Sequence, residues 1–262
     1  MTALRDTARA LLDAGVPAMD VQVLAHRGSV PRESGTHMLV TRDAVLGTIG
    51  GGHLELTAIA QARQWLDAGD TASHDIPYAL GPSLGQCCGG SLTLRTQRLG
   101  DAVLAAWPER EPRFFLQLYG AGHVGRAIVA LLSGIDCRVQ WVDERDSEFP
   151  AQALPAHIER VCVEPVEAEV AQAPAGAHYL VLTHSHDLDL RITEAILRRG
   201  DFAFLGLIGS RTKRARFVHR LEERGVPPEA LARLTCPIGV PGIAGKEPQV
   251  IAVAVVAQLL QR

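Results

Sequence analysis

The sequence has few cysteines, no large excess of charge of one sign and no long apolar run. Its five cysteines share no repeating spacing, which argues against a disulfide framework and favours a reducing cytoplasm. The formal net charge is −3 over 262 residues, so nothing indicates a nucleic-acid or membrane surface. The most apolar stretch, residues 250–260, is much shorter than the roughly 20 residues that span a bilayer. We therefore expect a cytoplasmic protein with no nucleic acid and no membrane among its partners.

The rest of the composition describes a globular chain with ample material for a core. Apolar residues make up 47% of the sequence and charged residues 21%. The N-terminus predicts an amphipathic helix and lacks the apolar run and cleavage site of a signal peptide. This length fits one or two domains, and a mixed segment with two prolines suggests a linker. We predict an N-terminal domain at residues 1–100, a linker at 101–113 and a second domain at 114–262.

The strongest motif begins just after the predicted linker. An apolar run leads into Gly120, Gly122 and Gly125, spaced as Gly-x-Gly-x-x-Gly, and an apolar helix pattern follows. In a nucleotide-binding βαβ unit these glycines allow a tight turn, close approach of a phosphate and close packing of the helix. The helix that begins near His123 would direct unpaired N–H groups at an anion. The next apolar run ends on Asp143, where an acid would bind a ribose hydroxyl.

The second domain alternates strand and helix patterns. Helical patterns separate five apolar runs, at residues 114–119, 138–142, 158–163, 178–183 and 202–208. This alternation indicates a parallel sheet with helices on both faces, and ligands of such sheets bind at the carboxyl ends of the strands. We therefore predict an α/β protein, with an N-terminal mixed α+β domain followed by a Rossmann-like, doubly wound parallel-sheet domain.

A second glycine turn lies in the N-terminal domain. Gly50, Gly51 and Gly52 follow a predicted strand at residues 45–49 and precede a helix pattern. This arrangement is the same kind of anion cradle as the first turn, and Glu55 follows where a polar group could meet a ligand. The alternative is that three glycines only permit a sharp turn.

Adjacent cysteines mark a third segment. Cys87 and Cys88 precede Gly89 and Gly90 in a loop rich in glycine, and they lack the Cys-x-x-Cys spacing of a structural zinc site. A thiol beside glycine N–H groups could be stabilised as a thiolate, and so act as a nucleophile, sulfur acceptor or soft-metal ligand. Buried structural thiols are the alternative. We predict that the remaining three cysteines lie in the core: Cys137, Cys162 and Cys236.

Polar residues follow the run at 178–183. His184 and His186 do not complete the register of a histidine and acid metal site, so we expect no metal there. His184 is instead a candidate contact at the edge of the sheet. Asp187 or Asp189 is expected to cap the following helix.

The loop after the last apolar run opens a basic helix. Ser210 and Arg211 form a third candidate anion site at its start. Further along the helix, Lys213, Arg214 and Arg216 are expected to form a solvated face.

Taken together, these motifs resemble the xanthine dehydrogenase accessory proteins of the XdhC/CoxI family. The resemblance covers nearly the whole length. It rests on segments in this order: HRGSVPRESGTHMLV, GTIGGGHLE, LGPSLGQCCGG, YGAGHVGRA with VDER, LTHSHDLDL, LGLIGSRTKRARF and PIGVPGIAGKEPQVIAVAVVAQLL. One departure is His53, where family members often have a cysteine or another small residue. A second is the GVPGIAGKEP loop, where many members have an aspartate.

The resemblance implies an accessory protein of purine catabolism, a chaperone and not an enzyme. It would bind the molybdenum cofactor (molybdopterin), hold it while a cysteine desulfurase replaces an oxo ligand with sulfide, and insert it into the molybdenum subunit of apo-xanthine dehydrogenase. The glycine turns could hold the pterin phosphate, and a cleft could keep water out. The candidate cofactor-binding residues are Gly50, Gly51, Gly52, Glu55, Cys87, Cys88, Gly89, Gly90, Gly120, Gly122, His123, Gly125, Asp143, His184, Ser210 and Arg211.

Two other functions stay open. One is an NAD(P)-dependent oxidoreductase with NAD(P) at the Gly120 fingerprint, although the sequence has no convincing Tyr-x-x-x-Lys pair. The other is a metal-dependent hydrolase at His184 and His186, whose ligand set is incomplete. The sequence also leaves open a homodimer and the question of whether the Rossmann site holds a nucleotide.

Overall fold

The computed structural model describes residues 2–80, 89–108 and 111–262. The chain divides into two units, Met1–Arg110 and Glu111–Arg262. Each unit has its own sheet and its own hydrophobic clusters.

Over residues 2–80 and 89–108, the first unit contains an antiparallel sheet and three helices. Its elements are α1 (Thr2–Asp13), β1 (Met19–Arg27), β2 (His37–Val40), β3 (Val45–Gly47), α2 (Gly52–Ala68), β4 (His74–Ala79), β5 (Ser91–Arg98) and α3 (Asp101–Ala105). The strands follow the order β3-β2-β1-β5-β4, and each neighbouring pair is antiparallel. The predicted mixed α+β character of this domain is confirmed.

Alternation along the strands gives this sheet two apolar faces. Met38 and Val40 of β2 belong to the cluster that packs against α2, whereas Leu39 between them packs with residues of α1 and α3. Helix α2 contributes its buried side chains at spacings of four residues, which place them on one face of the helix: Leu54, Ala58, Ala62 and Leu66.

The predicted linker needs correction at its N-terminal end. Residues 101–105 form α3, and Leu104 and the following Trp107 are buried in the first unit. The Trp107 ring lies 4.2 Å from the His37 ring, and its Nε1 donates to the buried carboxylate of Asp20. Burial of these apolar side chains holds the segment on the sheet, and the boundary between the units falls after residue 110.

The second unit contains a parallel sheet between two layers of helices. Its elements are β6 (Phe115–Tyr119), α4 (His123–Leu132), β7 (Arg138–Asp143), a 3₁₀ turn (Asp146–Glu148), β8 (Ile158–Cys162), a second 3₁₀ segment (Val166–Gln172), β9 (His178–Val181), α5 (His186–Arg199), β10 (Phe204–Leu207), α6 (Arg211–Glu223), α7 (Pro228–Ala232), β11 (Leu234–Thr235) and α8 (Pro248–Leu260). The strand order is β11-β10-β9-β6-β7-β8, with every pair parallel. This is the doubly wound order of a Rossmann fold, so the predicted fold class is confirmed.

The cysteine prediction holds in two of the three described positions. Cys137 and Cys236 are buried, and Cys162 is exposed. Burial raises the pKa of Cys137 to about 12, which keeps this thiol protonated and inert. Cys162 is the last residue of β8, an edge strand that pairs with β7 on one side. The core prediction for Cys162 is therefore wrong.

Candidate functional site

The carboxyl ends of the parallel strands meet at one edge of the second unit. β6 lies between β7 and β9, and β10 follows β9. Because these strands are parallel, the loops after Tyr119, Asp143, Val181 and Leu207 share this edge. The strand order reverses between β6 and β9, and ligands of doubly wound sheets bind at such a reversal.

The glycine turn after β6 is closely packed at two of its three glycines. Gly120 has a φ of 119°, and a Cβ there would lie 2.4 Å from the carbonyl oxygen of Leu182. A Cβ on Gly125 would lie 2.1 Å from the carbonyl oxygen of Gly120. Only hydrogen fits at these two positions, so both glycines are required by the turn itself.

Gly122 is different. It is the N-cap residue of α4, and no described atom lies within 4 Å of the position a Cβ would take. Helix α4 begins at His123, as predicted. A ligand could therefore approach the backbone at Gly122, where the N–H groups and the positive end of the helix dipole favour an anion.

Asp143 holds this glycine turn in place. Its Oδ2 accepts a hydrogen bond from the N–H of Ala121 at 2.7 Å, and Arg145 donates through its backbone N–H, Nε and Nη2 to the same carboxylate at 3.0 Å. Burial raises the pKa of Asp143, but the hydrogen bonds from Arg145 and Ala121 outweigh burial and hold the pKa below its usual range. Both oxygens thus have protein donors, and ribose binding stays a prediction.

Arg126 and Glu148 extend this network beyond the residues that the sequence predicted. Arg126 Nε donates to the carbonyl oxygen of Ala121 at 2.9 Å, and its guanidinium pairs with Glu148. Arg145 Nη1 lies 3.6 Å from the same Glu148 carboxylate. The one sequence signal for this network is that Arg126 directly follows the last glycine of the motif and Arg145 closely follows Asp143.

His184 lies at the same edge, in the loop after β9. Its Nε2 lies 3.6 Å from Oε1 of Glu144. His184 and Asp143 line one small depression together with Thr183. The structure therefore brings together two candidate residues that are far apart in sequence.

The cap of α5 is Ser185, whose Oγ accepts from the N–H of Leu188. Asp187 is 88% exposed. Asp189 is buried, and its Oδ1 accepts from the N–H of Thr183 at 2.9 Å and from the Thr183 hydroxyl at 2.7 Å. The prediction that Asp187 or Asp189 caps this helix is wrong, because the serine before the first helical turn already does so.

Asp189 also forms a buried ion pair with Lys213. Lys213 Nζ lies 2.6 Å from Asp189 Oδ2 and donates to the carbonyl oxygen of Ile208 at 2.8 Å. The Lys213 side chain is 11% exposed, so its assignment to a solvated face is wrong. Gly209 makes this path possible, because a Cβ there would lie 2.4 Å from Lys213 Cδ.

Ser210 and Arg211 take different positions at the start of α6. Ser210 is the N-cap, and its Oγ accepts from the N–H of Lys213 at 3.2 Å. Arg211 is the first helical residue and is exposed. A ligand contact by either residue stays a prediction.

In the first unit, Glu55 closes the Gly50–Gly52 turn. Its Oε2 accepts from the N–H groups of Ile49 at 2.9 Å and Gly51 at 3.1 Å, and from the hydroxyl of Thr48. Burial raises the pKa of Glu55, but these hydrogen bonds outweigh burial and lower the pKa from its usual value. Glu55 therefore stabilises the turn, and its contact with a ligand stays a prediction.

One loop of the first unit packs against two of the predicted sites, the Gly50 turn and the segment that contains Gly90. A Cβ on Gly50 would lie 2.3 Å from Cβ of Pro31, and a Cβ on Gly90 would lie 2.3 Å from the carbonyl oxygen of Ser29. Residues 28–31 thus pack against both the Gly50 turn and Gly90. No described atom lies near a Cβ position at Gly51 or Gly89. The predictions for Cys87 and Cys88 lie outside the described residues.

The parts of the chain that the structure describes contain no group of three or more His, Cys, Asp or Glu side chains that could hold a metal ion. Within the same ranges, none of the helices has the length and apolarity needed to cross a membrane.

Comparisons with known proteins cover both units. The model of the XdhC Rossmann domain matches residues 116–259, and the model of the XdhC and CoxI family matches residues 11–76. The uncharacterized protein YqeB of Escherichia coli (strain K12) is 33% identical over 250 residues. That alignment covers 94% of this chain and 43% of YqeB, so the chain spans less than half the length of this relative.

A solved structure shares the fold over nearly the whole chain. It is described as a xanthine dehydrogenase (BH1974) from Bacillus halodurans, and it matches with a TM-score of 0.76 at 18% identity. The match covers 98% of this chain and 94% of the other.

Proposed function

Because the chain belongs to the XdhC and CoxI family, we propose that it is an accessory protein in the maturation of a xanthine dehydrogenase. It binds the molybdenum cofactor, holds it while a cysteine desulfurase exchanges an oxo ligand for sulfide, and passes it to the molybdenum subunit of the apo-enzyme. It catalyses no reaction of its own. The observation that carries this proposal is the family match in both units, which goes beyond a shared Rossmann domain.

The geometry of the second unit supports an anionic cargo. The molybdenum cofactor has more than one anionic group, its phosphate and its molybdenum–dithiolene centre, and Gly122 leaves open space at the start of a ten-residue helix. Backbone N–H groups and the helix dipole stabilise an anionic group at such a position. The network around Asp143 and Arg145 would hold the turn in its binding conformation before the ligand arrives.

The cargo can be identified directly. The protein would be purified from cells with active cofactor synthesis, and its molybdenum content and pterin fluorescence would be measured. We expect both signals, and we expect the loaded protein to activate apo-xanthine dehydrogenase in a purified system. Protein that binds NADH tightly but carries neither molybdenum nor pterin would overturn the proposal.

The adjacent cysteines provide a test at residue level. We expect Cys87→Ala and Cys88→Ala to lower cofactor retention or transfer while the circular dichroism spectrum and thermal unfolding stay unchanged. Cys162→Ala is the matched control, because Cys162 is an exposed cysteine at the edge of the parallel sheet. If both variants still activate the apo-enzyme as well as the control does, the pair has a structural role.

An NAD(P)-dependent oxidoreductase is the second candidate. The strand order and the glycine spacing favour it. The engagement of Asp143 by Arg145 and Ala121 disfavours it, because a ribose hydroxyl would compete with these donors for the carboxylate. Titration with NADH, followed by nicotinamide fluorescence, separates the two candidates.

A further inference from the structure

A cavity of about 430 Å³ lies beyond the ends of β9 and β10. The loop after β9 and the start of α5 contribute His184 and His186, and α6 contributes the opposite wall. Its volume is within the range of sites that hold small molecules, roughly 300–1,000 Å³. Gly122 does not line this cavity, so a ligand here would use residues outside the glycine turn.

One face of α6 supplies three basic side chains to the cavity. Lys213, Arg216 and Arg220 line it, and their spacing of three and four residues places them in one row along the helix. Asp189 is the one acid among the lining residues, and its charge is balanced by Lys213 at 2.6 Å. The two arginines therefore give the cavity an excess of positive charge.

Neither arginine is strongly engaged by the protein. Arg220 Nη1 lies 3.7 Å from Oδ1 of Asp187, a pair that is exposed on both sides and therefore weak. Among the described residues, Arg216 has no ion pair. Both guanidinium groups are therefore available to a ligand.

Hydrogen bonds hold the floor of the cavity together. Asp189 holds the N–H and the hydroxyl of Thr183 on one side, and through Lys213 it is connected to the carbonyl oxygen of Ile208 on the other. The Ser210 hydroxyl accepts from the backbone of Lys213 and keeps its own proton to donate. A ligand would thus meet a wall that is already held in place and one donor, the Ser210 hydroxyl, whereas Arg216 and Arg220 would be ordered on binding at some cost in side-chain entropy.

We propose that this cavity binds the phosphate monoester of a small phosphorylated ligand, with Arg216 and Arg220 as the charged contacts. The Lys213–Asp189 pair positions the wall. Guanidinium groups suit a phosphate because they can donate two parallel hydrogen bonds to its oxygens. The phosphate site itself does not depend on the proposed function. The assignment of the phosphate to the molybdenum cofactor deepens that function and rests on it.

Inorganic phosphate is the first probe, titrated into the full chain and followed by ³¹P NMR line broadening. We expect Arg216→Gln to weaken phosphate binding by about tenfold, the effect of losing one charged hydrogen bond. Arg214→Gln is the matched control, because it removes the same charge from the same helix outside the cavity. We expect less than about a twofold change for this control, since Arg214 does not line the cavity and screening weakens a charge that acts without direct contact.

Thermal unfolding of both variants would confirm that each is folded. Equal binding by Arg216→Gln and Arg214→Gln would overturn the assignment of the cavity, as would wild-type protein that does not bind phosphate.

A second measurement identifies the source of the phosphate. The molybdenum and pterin content of the two variants is compared after purification from the same cells, and AMP is titrated into each. A lower pterin content in Arg216→Gln alone supports the cofactor phosphate. AMP binding that depends on Arg216, with pterin content equal in both variants, overturns the cofactor assignment but keeps the phosphate site. Wild-type protein without pterin contradicts the proposed function and leaves the phosphate result standing.

Discussion

At the scale of single residues, substitution by alanine should lower stability at Gly125 and cofactor binding at Gly122. Gly125→Ala places a Cβ 2.1 Å from a carbonyl oxygen, so we expect a loss of about 1–3 kcal/mol in the free energy of unfolding. Gly122→Ala places its methyl group in open space, and we expect a stability change of only about 0.5 kcal/mol. The same methyl should hold an anion away from the backbone and lower cofactor content.

Urea unfolding and pterin content measure these two effects separately. Gly134→Ala is a useful control for both, because no described atom lies near its Cβ position and it lies outside the turn. Equal destabilisation by Gly122→Ala and Gly125→Ala would mean that the turn does not have the observed packing.

Asp143 should make stability depend on pH. Although burial raises the pKa of Asp143, hydrogen bonds from Arg145 and Ala121 lower it below its usual value. The stabilisation is therefore fully present above the unfolded-state pKa of about 3.9 and is lost as pH falls through the folded-state pKa. We expect Asp143→Asn to be less stable than wild type at pH 7 and to lose less stability than wild type on acidification. Urea unfolding at a series of pH values measures both slopes, and parallel slopes would contradict this role.

These residues also show how far the sequence predicts a site. Asp143 and Asp189 could be placed near the edge of the sheet, because each follows an apolar run that forms a strand. Their partners could not be predicted, since Lys213 is 24 residues from Asp189 in sequence and meets it only because α5 and α6 follow the adjacent strands β9 and β10. Sequence periodicity predicts which face of a helix is buried. It does not predict which charged residue of another helix that face contacts.

At the scale of elements, the contribution of α8 can be tested with two adjacent leucines. Leu259 is 1% exposed and packs in the cluster that includes α4, whereas Leu260 is 45% exposed. We expect Leu259→Ala to cost about 2–5 kcal/mol, because it removes buried methyl groups and leaves a cavity. Leu260→Ala should cost less than about 0.5 kcal/mol. Urea unfolding of the two variants gives the comparison, and similar losses would show that α8 does not cover the sheet as described.

The elements that the sequence predicted well are the parallel strands. The inner strands β6, β9 and β10 are buried on both faces, so each reads as a continuous apolar run between turn signals. β5 lies inside the antiparallel sheet, and its buried Leu92 and Leu94 alternate with polar residues, which is the pattern of a half-buried strand. Helix α3 was missed because five residues are too few to show a helical period.

At the scale of the whole molecule, the order of strands and helices along the chain predicted the topology but not the function. The alternation of strands and helices, together with one glycine motif, was enough for the Rossmann-like topology, because right-handed crossovers leave few arrangements of such a chain. Function was different, since a doubly wound sheet hosts many ligands. The proposed cofactor role depends on the family motifs of both units, and the basic row on α6 became a candidate site only when the fold placed it against His184 and His186.

The two units should each fold alone. Each has its own sheet and its own apolar clusters, which is the usual condition for independent folding. We expect residues 111–262, expressed separately, to show cooperative thermal unfolding. This fragment contains every residue that lines the α6 cavity, so it should bind inorganic phosphate as the full chain does, and Arg216→Gln should weaken binding there while Arg214→Gln should not. A fragment that stays unfolded would show that the second unit needs residues 1–110. A folded fragment without Arg216-dependent binding would mean that the cavity is not the phosphate site in this unit.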